Sequence, residues 1–358
     1  MRKKILNPRI LGLILLIVIL AVTGIAYGIT AGRGEQILLN GYLGGEKTGL
    51  FDDPQVQEIL QDKYQITFDY VKAGSLDMVT LDQTDMDYLF PSSQTALEYY
   101  RELVGEPRRS EIILNTPIVL YTHQMVAQAL EQKGIVTQEN GVYYLDMMKM
   151  TELITNDTAW ADIGLPELYG NVSIDTTDPA KSNSGNMFAG LLANTLNGGQ
   201  TVDEASLPQI LPQLQEVFSR LGYMETSSAD LFSQFLKMGV GAKPIIAGYE
   251  SQLLEFSAEQ PEDYEQVKDD IVMLYPSPTV WSTHVYIALT EKGEKAIDAL
   301  LDPEIQELAW SRHGFRTNVY GTADSQGAFP VEGLAEEITR VTQMPAYREM
   351  RQIIDGLQ

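Results

Sequence analysis

The sequence predicts a two-lobed α/β protein behind a single N-terminal transmembrane helix, and three observations carry that prediction. Apolar runs of strand length alternate with helical patterns from residue 37 to about 104, the order expected of a parallel sheet with covering helices. Two long extended stretches, Glu111 to Tyr121 and Lys243 to Glu250, bracket the middle third of the chain as paired hinge crossings would. Residues 10–29 contain no charged side chain at all.

At 1.5 Å per residue that uncharged run is about 30 Å long, enough to span a bilayer. Arg2, Lys3, Lys4 and Arg9 precede it against a lone Arg33 close after it, so residues 1–9 are expected in the cytoplasm and the folded part outside. The run exceeds the usual apolar core of a cleaved signal peptide. An uncleaved anchor over 1–33 is therefore expected, and Ala26-Tyr27-Gly28 would be the cut site of the competing reading.

With 358 residues the chain can build two ordinary cores. Setting aside the four basic residues of the N-terminal tip leaves 21 basic against 49 acidic residues, a charge of about −28. So acidic a surface disfavours nucleic acid and anionic lipid. The absence of cysteine excludes a lipid-anchoring cysteine, disulfides, thiolate metal sites and a cysteine nucleophile.

In chain order, Ile37 to Leu43 reads as a buried strand, followed by the turn Gly44-Gly45-Glu46-Lys47-Thr48 and a helix near Pro54 to Lys63. Gln65 to Val71 alternates as a second strand and ends in Ala73-Gly74-Ser75-Leu76. Asp85 to Phe90 is a third, and Pro91-Ser92-Ser93 opens a helix carrying Ala96, Leu97 and Tyr100. In such a sheet ligands bind beyond the carboxyl ends of the strands, which is where these three loops lie.

Pro117 suits an interdomain crossing better than a central strand. Helical patterns follow at 123–130, 147–154, 207–221 and 228–238, and strands at 271–275 and 284–289. The chain closes with helical patterns at 294–301, 303–310 and 334–357. Read this way, 34–116 plus 248–358 form lobe I and 117–247 form lobe II. Within lobe II, Asp178-Pro179 stops a strand at 172–174. Ser182, Asn183 and Ser184 then offer N-caps to a helix bearing Met187, Phe188, Leu191, Leu192 and Leu196, which stops at Gly198-Gly199. Free N–H groups and a positive dipole end suit an oxygen-rich or anionic ligand there.

Several motifs resemble the bacterial extracytoplasmic solute-binding proteins of ABC importers. These are Ala73-Gly74-Ser75-Leu76, Trp160-Ala161-Asp162-Ile163 ahead of Asp178-Pro179 and Ser182 to Gly185, Tyr275-Pro276 with the strand at 284–289, and Gly314-Phe315-Arg316. The first resembles a loop of the oxyanion binders. The resemblance implies a two-lobed Venus-flytrap fold of the type II periplasmic-binding-protein kind, here membrane-anchored, which holds solute between strand-end loops and closes over it. It implies a permease or other membrane protein as partner, a small polar or anionic solute, no cofactor and no catalysis. A flytrap-fold receptor or scaffold ectodomain that binds a protein partner is the alternative.

Candidate ligand contacts are Gly45, Lys47, Ser75, Ser92, Ser93, Thr116, Ser182, Asn183, Ser184 and Tyr249. For the serines the competing role is helix capping, for the glycine an ordinary turn, and for Tyr249 core burial. His123, His284 and His313 lack metal-ligand spacing and are expected to be structural. No G-x-S-x-G elbow accompanies any serine.

Overall fold

Among the described residues nine strands order the molecule: β1 (Ile37–Leu43), β2 (Ile66–Lys72), β3 (Tyr88–Phe90), β4 (Arg109–His123), β5 (Val136–Glu139), β6 (Val142–Leu145), β7 (Ile245–Tyr249), β8 (Ile271–Pro276) and β9 (Trp281–Ala288). The computed structural model describes residues 36–318, 320 and 327–358. The expected membrane helix at 10–29 lies outside the described residues, and among those described no helix is long and apolar enough to cross a membrane.

The first sheet has the order β2-β1-β3-β9-β4, with β1 parallel to β2 and β3, and β9 antiparallel to β3 and β4. Parallel strands are covered on both faces, which is why Ile37–Leu43 reads as a nearly continuous apolar run. Leu39 and Leu43 are fully buried in a core with Phe51, Tyr88, Phe90, Leu114 and Tyr286. The crossover helix Pro54–Tyr64 starts at Asp53, whose carboxylate accepts from Gln55 N at 2.8 Å, with proline in the first turn.

β4 belongs to two sheets. Its first half, Arg109 to Pro117, pairs with β9, while Ile118 to Thr122 pairs with β7 and Leu120 to His123 with β8. The change of partners falls at Pro117, a residue with no N–H to leave unpaired. Beyond it β8 runs parallel to β6, and β6 forms a hairpin with β5. The hairpin turns on Asn140-Gly141, both at positive φ (51° and 86°), the pattern of a two-residue type I′ turn. The second lobe's core gathers Leu120, Leu130, Trp160, Phe188, Leu192 and Leu214.

Two expectations change. The stretch at 243–250 does not return the chain to lobe I for good: β7 and β8 both flank the second half of β4, and the first sheet resumes only with β9, where Trp281 faces Pro117. An extended run announces a strand but not its neighbours, and the apolar β8 is buried between β4 and β6. The closing helix is also shorter than its pattern, Tyr347–Leu357, because Pro345 precedes it. Residues before it run back across the second lobe, where Thr342 N donates to Thr279 O at 2.8 Å. The helix then packs on Asn183–Leu196 and Leu207–Phe218 of the second lobe and on Gln94–Leu103 of the first. Its Tyr347 stacks on Tyr99 at 4.3 Å, so this C-terminal segment straps one lobe to the other.

Two buried ionic clusters secure the junction. Arg316 donates through Nε and Nη2 to the two oxygens of Glu250, at 2.6 and 2.9 Å, and Tyr275 adds its hydroxyl at 2.5 Å. Glu250 therefore anchors the start of helix Glu250–Glu259 and faces away from the seam between the lobes. His313 sits between Glu255 (2.7 Å) and Asp53 (3.1 Å). Burial opposes its charge, but the hydrogen bonds and charges of Glu255 and Asp53 outweigh that and raise its pKa above 6.5.

Removing one member of a buried pair strands the other, so Glu250→Ala or Arg316→Ala should lower unfolding free energy by about 3 to 5 kcal/mol in denaturant titrations. A loss under about 1 kcal/mol would show the pair to be solvated. For His313, whose folded pKa is raised, the stabilisation is complete below about pH 6.5 and fades as pH climbs through the folded value. The stability gap between wild type and His313→Asn should accordingly be larger at pH 6 than at pH 9. Equal gaps at the two pH values would contradict the assignment.

Candidate functional site

The helix Asn183–Leu196 begins where the chain must turn sharply out of the 172–177 segment. Ser182 is extended at the N-cap (φ −129°), yet its hydroxyl does not cap the helix. It meets Ser184 Oγ at 3.0 Å, and Ser184 in turn meets Thr177 Oγ1 at 2.7 Å. A Cβ at Gly185 would overlap the Thr177 carbonyl, so glycine is what lets the helix start this close to the preceding segment. The helix ends as its sequence predicts, with Gly198 and Gly199 both at positive φ.

Three strand-end loops of the first lobe face this helix start. Ser75 does not cap a helix; its Oγ accepts from Ser92 N at 2.9 Å and so ties the second loop to the third. Ser93 does cap, accepting from Thr95 N at 3.1 Å. Asn183 Nδ2 donates across the seam to Ser92 O and, within its own lobe, to the Tyr249 hydroxyl, each at 3.0 Å. Ser282 Oγ donates to the same Ser92 carbonyl at 2.8 Å. One backbone carbonyl of the first lobe thus holds an amide of the second.

Beneath it lies a charged centre. Lys47 has no exposed surface, and its three ammonium protons are all committed: to Glu46 Oε1, to Ser92 Oγ at 2.6 Å and to His284 Nδ1 at 3.2 Å. Ser92 Oγ in turn donates a hydrogen bond to Glu46 Oε1. Phe90 lies under the ammonium at 4.9 Å. Burial works against the Glu46 charge, but Lys47, then His284, then the hydrogen bonds from Lys47 and Ser92 hold its pKa down at about 2. Burial likewise lowers Lys47, with Glu46 acting against it, and pushes His284 well below 6.5 with the help of the Lys47 charge. The centre is an ion pair beside a neutral imidazole. A lysine 2.6 Å from a serine hydroxyl has the spacing of a base and nucleophile. Here Lys47 donates to the serine oxygen and is paired with the Glu46 carboxylate, so the lysine nitrogen is not placed to accept the serine proton.

The expected residues are therefore distributed unevenly. Lys47, Ser75, Ser92, Asn183 and Tyr249 converge on one network, with Ser182 and Ser184 at its edge. Gly45 opens the short turn Gly45–Lys47 beside it. Thr116 stands apart, buried in β4, where its hydroxyl accepts from Ser251 N at 3.1 Å. Glu46, Ser282 and His284 were not among the expected residues, and they complete the centre. Glu46 carried one signal, its place between Gly45 and Lys47.

Two hollows open from this network. One of about 450 Å³ lies between loops 44–48 and 72–75 of the first lobe and residues 181–183 and 226–230 of the second. A larger one of about 750 Å³ runs beside Gly49, Phe232, Gln252, Phe256 and His313. Both are within the size range of small-ligand sites, and Glu46 lines both. His123 pairs with Asp270 at 2.7 Å and His313 with two carboxylates, so the three histidines sit in three separate places.

No family model and no curated protein matches the sequence. Solved structures do match the fold. Iron-bound HitA from Pseudomonas aeruginosa superposes with a TM-score of 0.59 at 12% identity, covering 90% of this chain and 99% of that one. The substrate-binding protein of an ABC transporter from Agrobacterium tumefaciens gives 0.57 at 12% identity over 92% and 96%. The sulfate-binding protein SubI from Mycobacterium tuberculosis gives 0.52 at 11% over 90% and 98%. The chain has the two-lobed α/β fold of the ABC-transporter substrate-binding proteins, along nearly its whole described length.

Proposed function

We propose that this protein captures a small polar solute between its lobes, performs no chemistry on it, and presents it to a membrane permease from a single-pass anchor on the extracytoplasmic side. The observation that carries the reading is the hydrogen bond from Asn183 of the second lobe to the Ser92 carbonyl of the first, flanked by hollows of ligand size. A contact made only when the lobes meet distinguishes open from closed, which any ligand-driven closure requires. The fold neighbours support the reading, since they include binders of sulfate and iron. The uncharged run at 10–29, with four basic residues before it against a lone Arg33 close after it, supports the anchor.

The alternative, an ectodomain that closes on a protein partner, draws on the strap of helix Tyr347–Leu357, which packs against both lobes and restrains their separation. A solute binder and a scaffold respond differently to small molecules. Thermal melts against sugars, amino acids, polyamines, peptides and oxyanions should find at least one solute that, at 100 times its Kd, adds about 2.7 kcal/mol. Asn183→Ala should weaken that solute about tenfold, the worth of one hydrogen bond across the seam. Silence across the panel, together with a crosslinked membrane partner, would move the assignment to the scaffold. In fractionated cells the full-length chain should sediment with membranes and keep its N-terminal residues; a soluble, shortened chain would contradict the anchor.

A further inference from the structure

The centre of the seam contains a carboxylate where an anionic solute would have to sit. Glu46 Oε1 accepts hydrogen bonds from Ser92 Oγ and from Lys47 Nζ, the donors that would otherwise greet an incoming oxyanion. The remaining protons of Lys47 go to Ser92 Oγ and His284 Nδ1. The backbone is shaped to this arrangement, because a Cβ on Gly44 would collide with the Glu46 carboxylate and come within 2.8 Å of the Lys47 ammonium. Any larger residue at 44 would push both side-chain ends out of these positions. The other oxygen, Glu46 Oε2, has no hydrogen-bond partner among the described residues, and the side chain, about 10% exposed, borders both hollows.

Resting on solute capture as the function, we infer that Glu46 is the specificity-determining residue: an internal anion that excludes oxyanions and offers Oε2 to a solute bearing an ammonium, guanidinium, amide or hydroxyl donor. An oxyanion entering either hollow meets a carboxylate, and the ammonium behind it has no proton left to give. A donor-bearing solute meets an acceptor already charged and fixed in place, and such charge-assisted bonds are the stronger kind. The anion site is present but occupied by the protein's own side chain.

The test is calorimetric titration of sodium sulfate and sodium phosphate into wild type, Glu46→Ala and Glu46→Gln. Glu46→Ala frees Ser92 Oγ and one Lys47 proton and should bind sulfate at least about tenfold more tightly than wild type, the gain expected of one charge-assisted bond. Ser92→Ala added to Glu46→Ala should abolish most of that gain. Should Glu46→Ala fail to fold, Glu46→Gln, which keeps the volume and an acceptor oxygen but removes the repelling charge, should bind sulfate more tightly than wild type by a smaller factor. Wild type binding sulfate as tightly as the variants would overturn the inference while leaving solute capture intact. Absence of oxyanion binding in wild type and in the folded variants would also overturn it, since no masked anion site would then exist. Failure of solute capture itself reads out separately, as a wild-type melting temperature unmoved by any solute, donor-bearing ones included.

Discussion

An ammonium taken wholly out of water must be neutralised, and this requirement at Lys47 organises the seam between the lobes. Leaving such a charge unpaired would cost several kcal/mol, so a carboxylate has to reach it. The nearest is the preceding residue, and Gly44 leaves the space into which the Glu46 carboxylate folds back. From that pair the connections run outward without a break. Ser92 joins the pair to the third strand-end loop, Ser75 joins that loop to the second, and Asn183 joins it to the opposite lobe. Each link satisfies a polar group that burial would otherwise penalise, so polarity and closure are one problem with one solution. Two atoms of the network stand outside this: Glu46 Oε2, which borders the hollows, and His284 Nε2, buried with no partner among the described residues beside the ring of Phe315.

The fold supplies the rigidity this network needs. β4 is shared by both sheets, so the lobes hinge on a continuous strand whose partners change at Pro117. The return through β9 and the strap of helix Tyr347–Leu357 add two further connections between lobes. The strap touches helix Asn183–Leu196, the same helix whose first residues close the seam.

Much of this was legible in the sequence because the relevant chemistry is local. Strand, turn and helix start follow one another in Ile37 to Asp53 and in Ile66 to Asp77, and local rules suffice to read them. The hydroxyl-rich start at Ser182 to Ser184 was legible for the same reason. The Asn140-Gly141 turn of the β5–β6 hairpin is equally local, but that stretch of strand alternation is only four residues long on each side and went unread. What could not be read is long-range. His284 sits in the apolar strand β9, 237 residues from Lys47, and nothing near it in sequence marks it as a partner. The same holds for β8, whose apolar run fits either sheet until its neighbours are known. Whether a serine caps a helix or bridges two loops, as at Ser93 and Ser75, is likewise decided by what faces it.

The account stands or falls on lobe closure, and the absence of cysteine makes closure directly measurable. Val71 of the first lobe and Tyr223 of the second are 56% and 76% exposed, and cysteines placed there can carry spin labels without background. The distance distribution between them should contain a long component in the ligand-free protein. That component should vanish on adding a solute that raises the melting temperature, leaving a single short distance. A distribution unchanged by that solute would show that binding and closure are unrelated, and would contradict the clamp.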